Sequence, residues 1–191
     1  SKTESALLNL VRRLDWADYE QVRKAADVVQ VFPFGSKRKG MGVAVKTDTG
    51  VRLYVKGASK ILLDSSTRLV SVSLSKASAS QSIEVTSMNE KCRQHLNDTI
   101  TNYASQSLRT LGLCYRDFEV WPPPGIQTND LGETAYEDVA KELTFLGLAA
   151  IEDPLRRGVT EAVRACGKAG VNVKMCTGDN IPVSYTHLTL P

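Results

Sequence analysis

The chain has 191 residues, of which 42% are hydrophobic, 24% charged and 6% aromatic. These values are near those of ordinary globular proteins and argue against a fibrous or wholly disordered chain. The net charge of +3 is too small to indicate a partner nucleic acid, and no apolar run reaches the ~18 residues of a membrane span. The 4 cysteines include no CxxC pair and there are 2 histidines, so we expect reduced, mostly buried thiols and no zinc site.

The first third of the sequence predicts helices followed by strands. Apolar residues recur at helical spacing near the start, where Ser1 and Glu4 fit a capping box. The TDTG sequence at residues 47–50 is typical of a hairpin turn, because Asp and Gly tolerate the backbone angles of tight turns. The predicted elements are helices over 1–14, 19–26 and 58–63, and strands over 28–34, 41–46 and 51–56.

The next part predicts a loop and then a long helix. Residues 65–82 are rich in serine and show little periodicity, so we expect a surface loop with at most one short strand. Ser87 and Glu90 fit a second capping box, which predicts a helix from residue 87 to about residue 109.

A strand is expected over residues 111–118, followed by a long connection. The WPPPG sequence at 121–125 interrupts any regular element, and residues 127–138 are polar and acidic. We therefore expect a loop here, as an insertion tolerated at the surface.

The last third has a different pattern. The LTFLGLAAI sequence at 143–151 is nearly all apolar, as in a strand buried on both faces. An amphipathic helix over 159–169 and a second buried strand over 171–176 complete a βαβ unit with parallel strands. The sequence thus predicts a mixed, antiparallel first part joined to the start of a doubly wound part.

The C-terminal residues do not follow this pattern. The sequence VSYTHLTLP at 183–191 matches the translation of a transposase sequencing adaptor. We therefore set residues 181–191 apart as a sequencing or cloning remnant, and expect the natural chain to continue beyond Asn180.

Four polar or small residues follow the two strands of the predicted βαβ unit: Asp153, Thr177, Gly178 and Asp179. Ligands of open α/β sheets bind outside the carboxyl ends of the strands, so these residues would face one crevice. The Thr177 hydroxyl suits a phosphate oxygen, and the Asp179 carboxylate suits a metal-bound water or a ribose. The alternative is that the aspartates cap helices.

A basic turn, FGSKRKGM, lies between the first two strands at residues 34–41. Phe34 is able to stack on a base and the lysines to attract phosphates. A solvated basic hairpin and a nuclear-import-like run remain alternatives. Lys56 before Gly57, and Arg109 between a helix and a strand, are likewise either ligand contacts or exposed cations. The sequence contains no G-x-x-x-x-G-K-[ST] loop, which excludes a P-loop.

Six segments carry a family resemblance: KTESALL, FPFGSKRKGMGV, YVKGAS, LRTLGLCYRD, LGLAAIEDPLRRGV and CTGDN. They occur in the order found in P-type ATPases, and the chain resembles this family over nearly all of residues 1–180. The second and fifth segments are most similar to those of vacuolar and plasma-membrane calcium pumps, fungal ones in particular.

The resemblance implies a fold in two parts. Residues 1–147 would form most of an α+β nucleotide-binding domain, an antiparallel sheet with flanking helices. Residues 148–180 would begin the phosphorylation domain, which is Rossmann-like and of the haloacid-dehalogenase type.

The resemblance also implies roles for single residues. Phe34 would stack on the adenine, Lys56 and Gly57 would line the adenine pocket, and Glu4 would face the adenine edge. Lys39 would lie near the nucleotide and Arg109 would pair with its phosphate chain. The residues expected to meet the phosphates and Mg²⁺ when the domains close are Asp153, Thr177, Gly178 and Asp179.

The function implied is that of an ATP-driven calcium pump, with this chain as a cytosolic portion of a vacuolar or plasma-membrane protein. Its partners would be ATP and the remaining phosphorylation, actuator and membrane domains, with regulation by calmodulin or a terminal segment left open. The family's phosphorylated aspartate lies in a DKTGT motif that the 191 residues lack. We therefore expect ATP binding without hydrolysis. The alternatives are a stand-alone nucleotide-binding or interaction module and a soluble haloacid-dehalogenase-type phosphohydrolase.

Overall fold

The computed structural model describes residues 2–15, 18–74, 81–152 and 154–174. Within these residues, strands form a single sheet with helices against it. The strands are β1 (Val28–Gly35), β2 (Gly40–Thr47), β3 (Gly50–Ala58), β4 (Ser66–Leu74), β5 (Gln81–Ser87), β6 (Arg109–Phe118) and β7 (Leu143–Ile151). The helices are α1 (Lys2–Arg13), α2 (Tyr19–Ala25), α3 (Ser59–Asp64), α4 (Glu90–Ser105), α5 (Tyr136–Val139) and α6 (Val159–Lys168).

The sheet is mixed, with the strand order β1-β2-β3-β6-β7-β4-β5. All neighbouring strands are antiparallel except β4 and β7, which are parallel. The prediction of an antiparallel sheet is therefore correct for most of the strand pairs and wrong for this one. A parallel pair needs a long crossover, and the chain between β4 and β7 includes β5, α4, β6 and α5.

The elements predicted for the first third are confirmed. The β2–β3 hairpin closes between Thr47 and Gly50, as the TDTG sequence indicates. Helix α2 begins after Asp18, whose carboxylate accepts hydrogen bonds from the Glu20 and Gln21 N–H groups at 2.9 and 3.3 Å. Ser1, the predicted cap of α1, lies outside the described residues.

The serine-rich segment, residues 65–82, contains the nine-residue strand β4 and the first two residues of β5, where the sequence predicted a loop with at most one short strand. Val70 of β4 pairs with Val85 of β5, and Val72 pairs with Ile83. Leu69, on the opposite face of β4, packs against the core. The alternation of apolar and polar residues along β4 was not visible in the sequence, because serines occur on both faces of the strand beside the few apolar residues. Serine also does not favour strands.

Helix α4 begins later than the sequence predicted. Ser87 is the last residue of β5, and the helix is capped by Asn89, whose side-chain oxygen accepts from the Cys92 N–H at 2.8 Å. The capping-box prediction was wrong because Asn89 offers an equally good cap directly before Glu90. The helix also ends at Ser105, short of residue 109.

The main core lies on one face of the sheet. Its strand residues include Phe32, Leu53, Val55, Cys114 and Phe145. Side chains of α3 and α4 pack on them, among them Leu62, Leu63 and Ile100.

The connection between β6 and β7, residues 119–142, completes this core. Tyr136 and Val139 are buried, and the Trp121 ring contacts Phe32 and Phe118 edge-on at centroid distances of 6.4 and 5.4 Å. The expectation of a surface loop is correct for residues 127–133, which are exposed, and wrong at Thr134, Tyr136 and Val139, which are buried. The segment is polar on average, but a few apolar side chains in it are buried against the sheet.

Strand β7 joins the same sheet along its whole length. It pairs with β6 from Thr144 to Ile151, so the predicted domain division after residue 147 falls within a strand and stays a prediction. Leu143, Thr144 and Phe145 are all buried, so the start of β7 is buried on both faces, whereas Leu146 and Ala150 are exposed and the prediction fails for the rest of the strand.

The predicted βαβ unit is only partly observed. Helix α6 is confirmed, but residues 171–174 are not in a strand and residues 175–191 lie outside the described part of the chain. In that described part, no helix is both long and apolar enough to cross a lipid bilayer.

Candidate functional site

Phe34 lies at the exposed end of the β1–β2 hairpin. The β1–β2 register shifts between Phe32 and Gly35, which indicates a β-bulge. Phe32, two residues earlier, is 4% exposed, whereas Phe34 is 62% exposed. A bulge re-aims the side chains that follow it, so Phe34 leaves the core face on which an unbroken strand would have placed it.

Phe34 lies at the same end of the sheet as Met41 on β2 and Lys56 on β3. Gly35 pairs with Gly40, which places Phe34 beside Met41 across the hairpin. Met41 in turn pairs with Lys56 on β3. An exposed aromatic ring, a thioether and an ammonium thus come from three adjacent strands at one end of the sheet.

Lys56 forms an ion pair with Glu4. The Lys56 Nζ lies 2.9 Å from Glu4 Oε1, and the two side chains are 24% and 41% exposed. The contact joins β3 to α1 across 52 positions of sequence. The structure therefore brings together two of the predicted residues that no sequence pattern placed side by side.

Gly57 is packed against the chain's own backbone. A Cβ atom there would lie 2.6 Å from the Lys39 carbonyl oxygen and 2.8 Å from the Gly40 Cα. The Lys39 carbonyl also accepts a 2.9 Å hydrogen bond from the Ala58 N–H. Gly57 thus allows the basic turn to close on the end of β3.

Within the basic FGSKRKGM sequence, residues 36–39 form the turn itself, and the last of them has left-handed backbone angles. Lys39 has a φ of 49° and its N–H donates to the Gly35 carbonyl at 2.7 Å. Lys37 and Lys39 are exposed, whereas the Arg38 side chain is 27% exposed. The two lysine side chains are thus open to an anion, while Arg38 is turned toward the protein.

The remaining predicted residues lie further away or outside the described chain. Arg109 is the first residue of β6, ~13 Å along that strand from Leu113, the partner of Lys56. Asp153, Thr177, Gly178 and Asp179 are outside the described residues. Sequence analysis included Met41 in the FGSKRKGM turn but gave it no role.

Two further titratable side chains, Cys114 and Tyr136, are buried in the core. Burial raises the pKa of the Cys114 thiol to about 12, and burial also raises the pKa of Tyr136. Of the other described cysteines, Cys92 and Cys166 are half-buried, so the expectation of mostly buried thiols holds for Cys114 alone among the three. No cluster of three His, Cys, Asp or Glu side chains suited to a metal is found in the described ranges.

Surface concavities lie elsewhere on the described part of the chain. One of about 420 Å³ is on α4, and one of about 310 Å³ is beside the β2–β3 turn. None of the predicted site residues lines either of them.

The sequence matches the family model described as "P-type ATPase, cytoplasmic domain N" over residues 1–158. It is 49% identical over 181 residues to "Calcium-transporting ATPase 2" of Cryptococcus neoformans, covering 95% of this chain and 13% of that protein. It is 38% identical over 185 residues to "Calcium-transporting ATPase 2" of Schizosaccharomyces pombe, covering 95% and 14%. It is 36% identical over 186 residues to "Plasma membrane calcium-transporting ATPase 4" of Bos taurus, covering 95% and 14%. The chain therefore spans a small part of these relatives.

Proposed function

Since the chain belongs to the P-type ATPase family and contains its cytoplasmic domain N, we propose that it binds ATP for a calcium-transporting pump. The observation that carries the proposal is the exposed Phe34 ring, beside Met41 and the Lys56–Glu4 ion pair. An exposed aromatic ring at the same end of the sheet as an ammonium and a carboxylate matches the needs of a purine, which stacks on rings and forms hydrogen bonds at its edge.

In this proposal the adenine stacks on Phe34 near Lys56 and Gly57, with Glu4 at its edge. The phosphates extend toward the cations at this end of the sheet, with Lys39 in the basic turn and Arg109 further along. Charge-assisted hydrogen bonds of this kind contribute about 1.5–3 kcal/mol each when partly desolvated.

Magnesium belongs to the proposal as the counter-ion of the phosphates. The family resemblance implies that Asp153 and Asp179 meet this ion, and both residues lie outside the described part of the chain. When bound, Mg²⁺ neutralises charge that develops on the transferred phosphoryl group. The chain's own described residues bind and orient the nucleotide.

The acceptor of the phosphoryl group would be an aspartate outside this chain, because the 191 residues contain no DKTGT motif. Catalysis in such transfers is mostly positioning and electrostatic stabilisation, to which domain N contributes the positioning. Calcium as the transported ion and a plasma-membrane location are proposed from the names of the relatives, and a vacuolar location is proposed from the family resemblance alone. Residues 148–180 would begin the phosphorylation domain, and the remaining phosphorylation, actuator and membrane domains would be its partners.

A magnesium-free ATP titration of the chain, followed by ¹H–¹⁵N NMR, tests the proposal. We expect saturable shifts at Phe34 and Lys56, with a Kd on the order of 0.1–10 mM. Phe34→Ala should abolish them, whereas Ile83→Ala, which truncates another exposed apolar side chain on β5, should not. A well-dispersed spectrum that does not respond to ATP would refute the proposal and favour an interaction module.

A further inference from the structure

Arg38 lies in the middle of the basic turn but is directed back onto the protein. Its guanidinium carbon is 4.5 Å from the centre of the Tyr136 ring. Its Nη2 donates to the Pro33 carbonyl, its Nε donates to the Gly40 carbonyl at 3.4 Å, and its Nη1 is 3.8 Å from Glu137 Oε1. Arg38 therefore ties both sides of its own turn together and ties the turn to α5.

Tyr136 is a fixed platform for this contact. It is 8% exposed and its ring meets the Phe32 ring edge-on, with 5.9 Å between centroids. Its hydroxyl oxygen lies 2.8 Å from the position of a Cβ at Gly40, so no side chain fits between α5 and the start of β2. The stacked pair of Arg38 and Tyr136 is called the Arg38 clasp below.

We propose that Arg38 is a positioning residue of the nucleotide site. The Arg38 clasp holds the turn over residues 36–39 in one conformation, so that Lys37 and Lys39 are presented to the phosphates at the same end of the sheet as Phe34. The segment 119–142, which carries Tyr136, thereby belongs to the support of the site. This inference rests on the proposed function.

The chemistry of Arg38 favours this role over direct contact with phosphate. The guanidinium is half-buried, and its three nitrogens are directed at Pro33, Gly40 and Glu137. A guanidinium provides a planar fork and a flat face for stacking, neither of which an ammonium has. Arg38→Lys would therefore keep the positive charge but lose the stacking on Tyr136.

The test compares ATP with adenosine on the whole chain, using isothermal calorimetry or NMR titration. Because the clasp orders the phosphate-facing turn, Arg38→Ala should weaken ATP binding about tenfold and change adenosine binding less than about twofold. Arg38→Lys should behave like Arg38→Ala.

A matched control comes from a second arginine of the same kind. The Arg116 guanidinium is 4.9 Å from the Phe118 ring centre, donates to the Lys141 carbonyl at 2.8 Å and pairs with Glu142 at 2.9 Å. It lies opposite Leu53, away from the basic turn. Arg116→Ala should leave the ATP-to-adenosine ratio unchanged.

Each result decides a different question. Wild-type-like ATP binding by Arg38→Lys would overturn the inference, because charge alone would then suffice. An equal loss of ATP and adenosine binding would also overturn it, because Arg38 would then support the fold in general. Failure of the wild type itself to bind either ligand would refute the proposed function, and the inference with it.

Discussion

Phe32 and Phe34 are two residues apart on β1, yet Phe32 is 4% exposed and Phe34 is 62% exposed. In a regular strand they would share a face, because side chains alternate with a period of two. The register shift between Phe32 and Gly35 separates them. One aromatic ring therefore closes the core against Trp121 and Tyr136, and the other stands open as the proposed adenine platform.

Gly57→Ala should destabilise the protein strongly. Its new methyl group would lie within 2.8 Å of the backbone of Lys39 and Gly40, which cannot move without opening the hairpin. We expect a loss of ~2–3 kcal/mol in the free energy of unfolding, measured by urea denaturation. Gly147→Ala is the control, since no atom lies within 4 Å of a Cβ there. Equal stabilities of the two variants would contradict this explanation of Gly57.

The sequence predicted the composition of this region but not its geometry. Phe34 and Lys56 were found from short motifs, because aromatic and charged residues beside glycines are typical of ligand contacts, whereas Glu4 was implied by the family resemblance alone. The bulge was not predictable, since it depends on how β1 pairs with β2. The role of Arg38 was hidden for the same reason, because Tyr136 is 98 positions away in a segment whose polar composition predicted a surface loop.

The Lys56–Glu4 ion pair should contribute modestly to stability. A double-mutant cycle with Glu4→Gln and Lys56→Met should give a coupling free energy of about 0.5–1 kcal/mol, because both side chains remain partly exposed. The coupling should shrink in about 1 M salt, where charges are screened within a few ångströms. Asp138 and Lys141 form a control pair at 3.6 Å with more exposed side chains, for which we expect almost no coupling. A coupling at Glu4–Lys56 no larger than the control would contradict the prediction.

Cys114 should make stability fall at alkaline pH. Its pKa is raised by burial from 9.0 to about 12 in the folded protein, so the thiol stays protonated there while the unfolded chain loses its proton. The unfolded state then binds fewer protons, and the free energy of unfolding decreases between pH 9.0 and about 12, by up to ~1.4 kcal/mol per pH unit.

The measurement is urea denaturation of the wild type and Cys114→Ala at a series of pH values from about 8 to 10.5. Other groups titrate in this range in both proteins, so the difference between the two curves isolates Cys114. The free energy of unfolding of the wild type minus that of Cys114→Ala should be constant below about pH 8.5 and should decrease above it. Parallel curves throughout would show that the thiol is not protected by burial.

Gln30 should be essential for docking the 119–142 segment onto β1. Gln30 is buried, its Nε2 donates to the Thr134 carbonyl at 2.9 Å, and its Oε1 accepts from the Thr134 N–H and hydroxyl at 3.2 Å each. Gln30→Leu keeps the volume but leaves these buried groups of Thr134 without partners, which should cost ~2–3 kcal/mol. Gln127→Leu, in an exposed part of the same segment, should change stability by less than ~0.5 kcal/mol.

Hydrogen exchange at the Thr134 amide should accelerate in Gln30→Leu. An unchanged exchange rate would mean that the segment is held by its apolar side chains, Tyr136 and Val139, without help from this polar link.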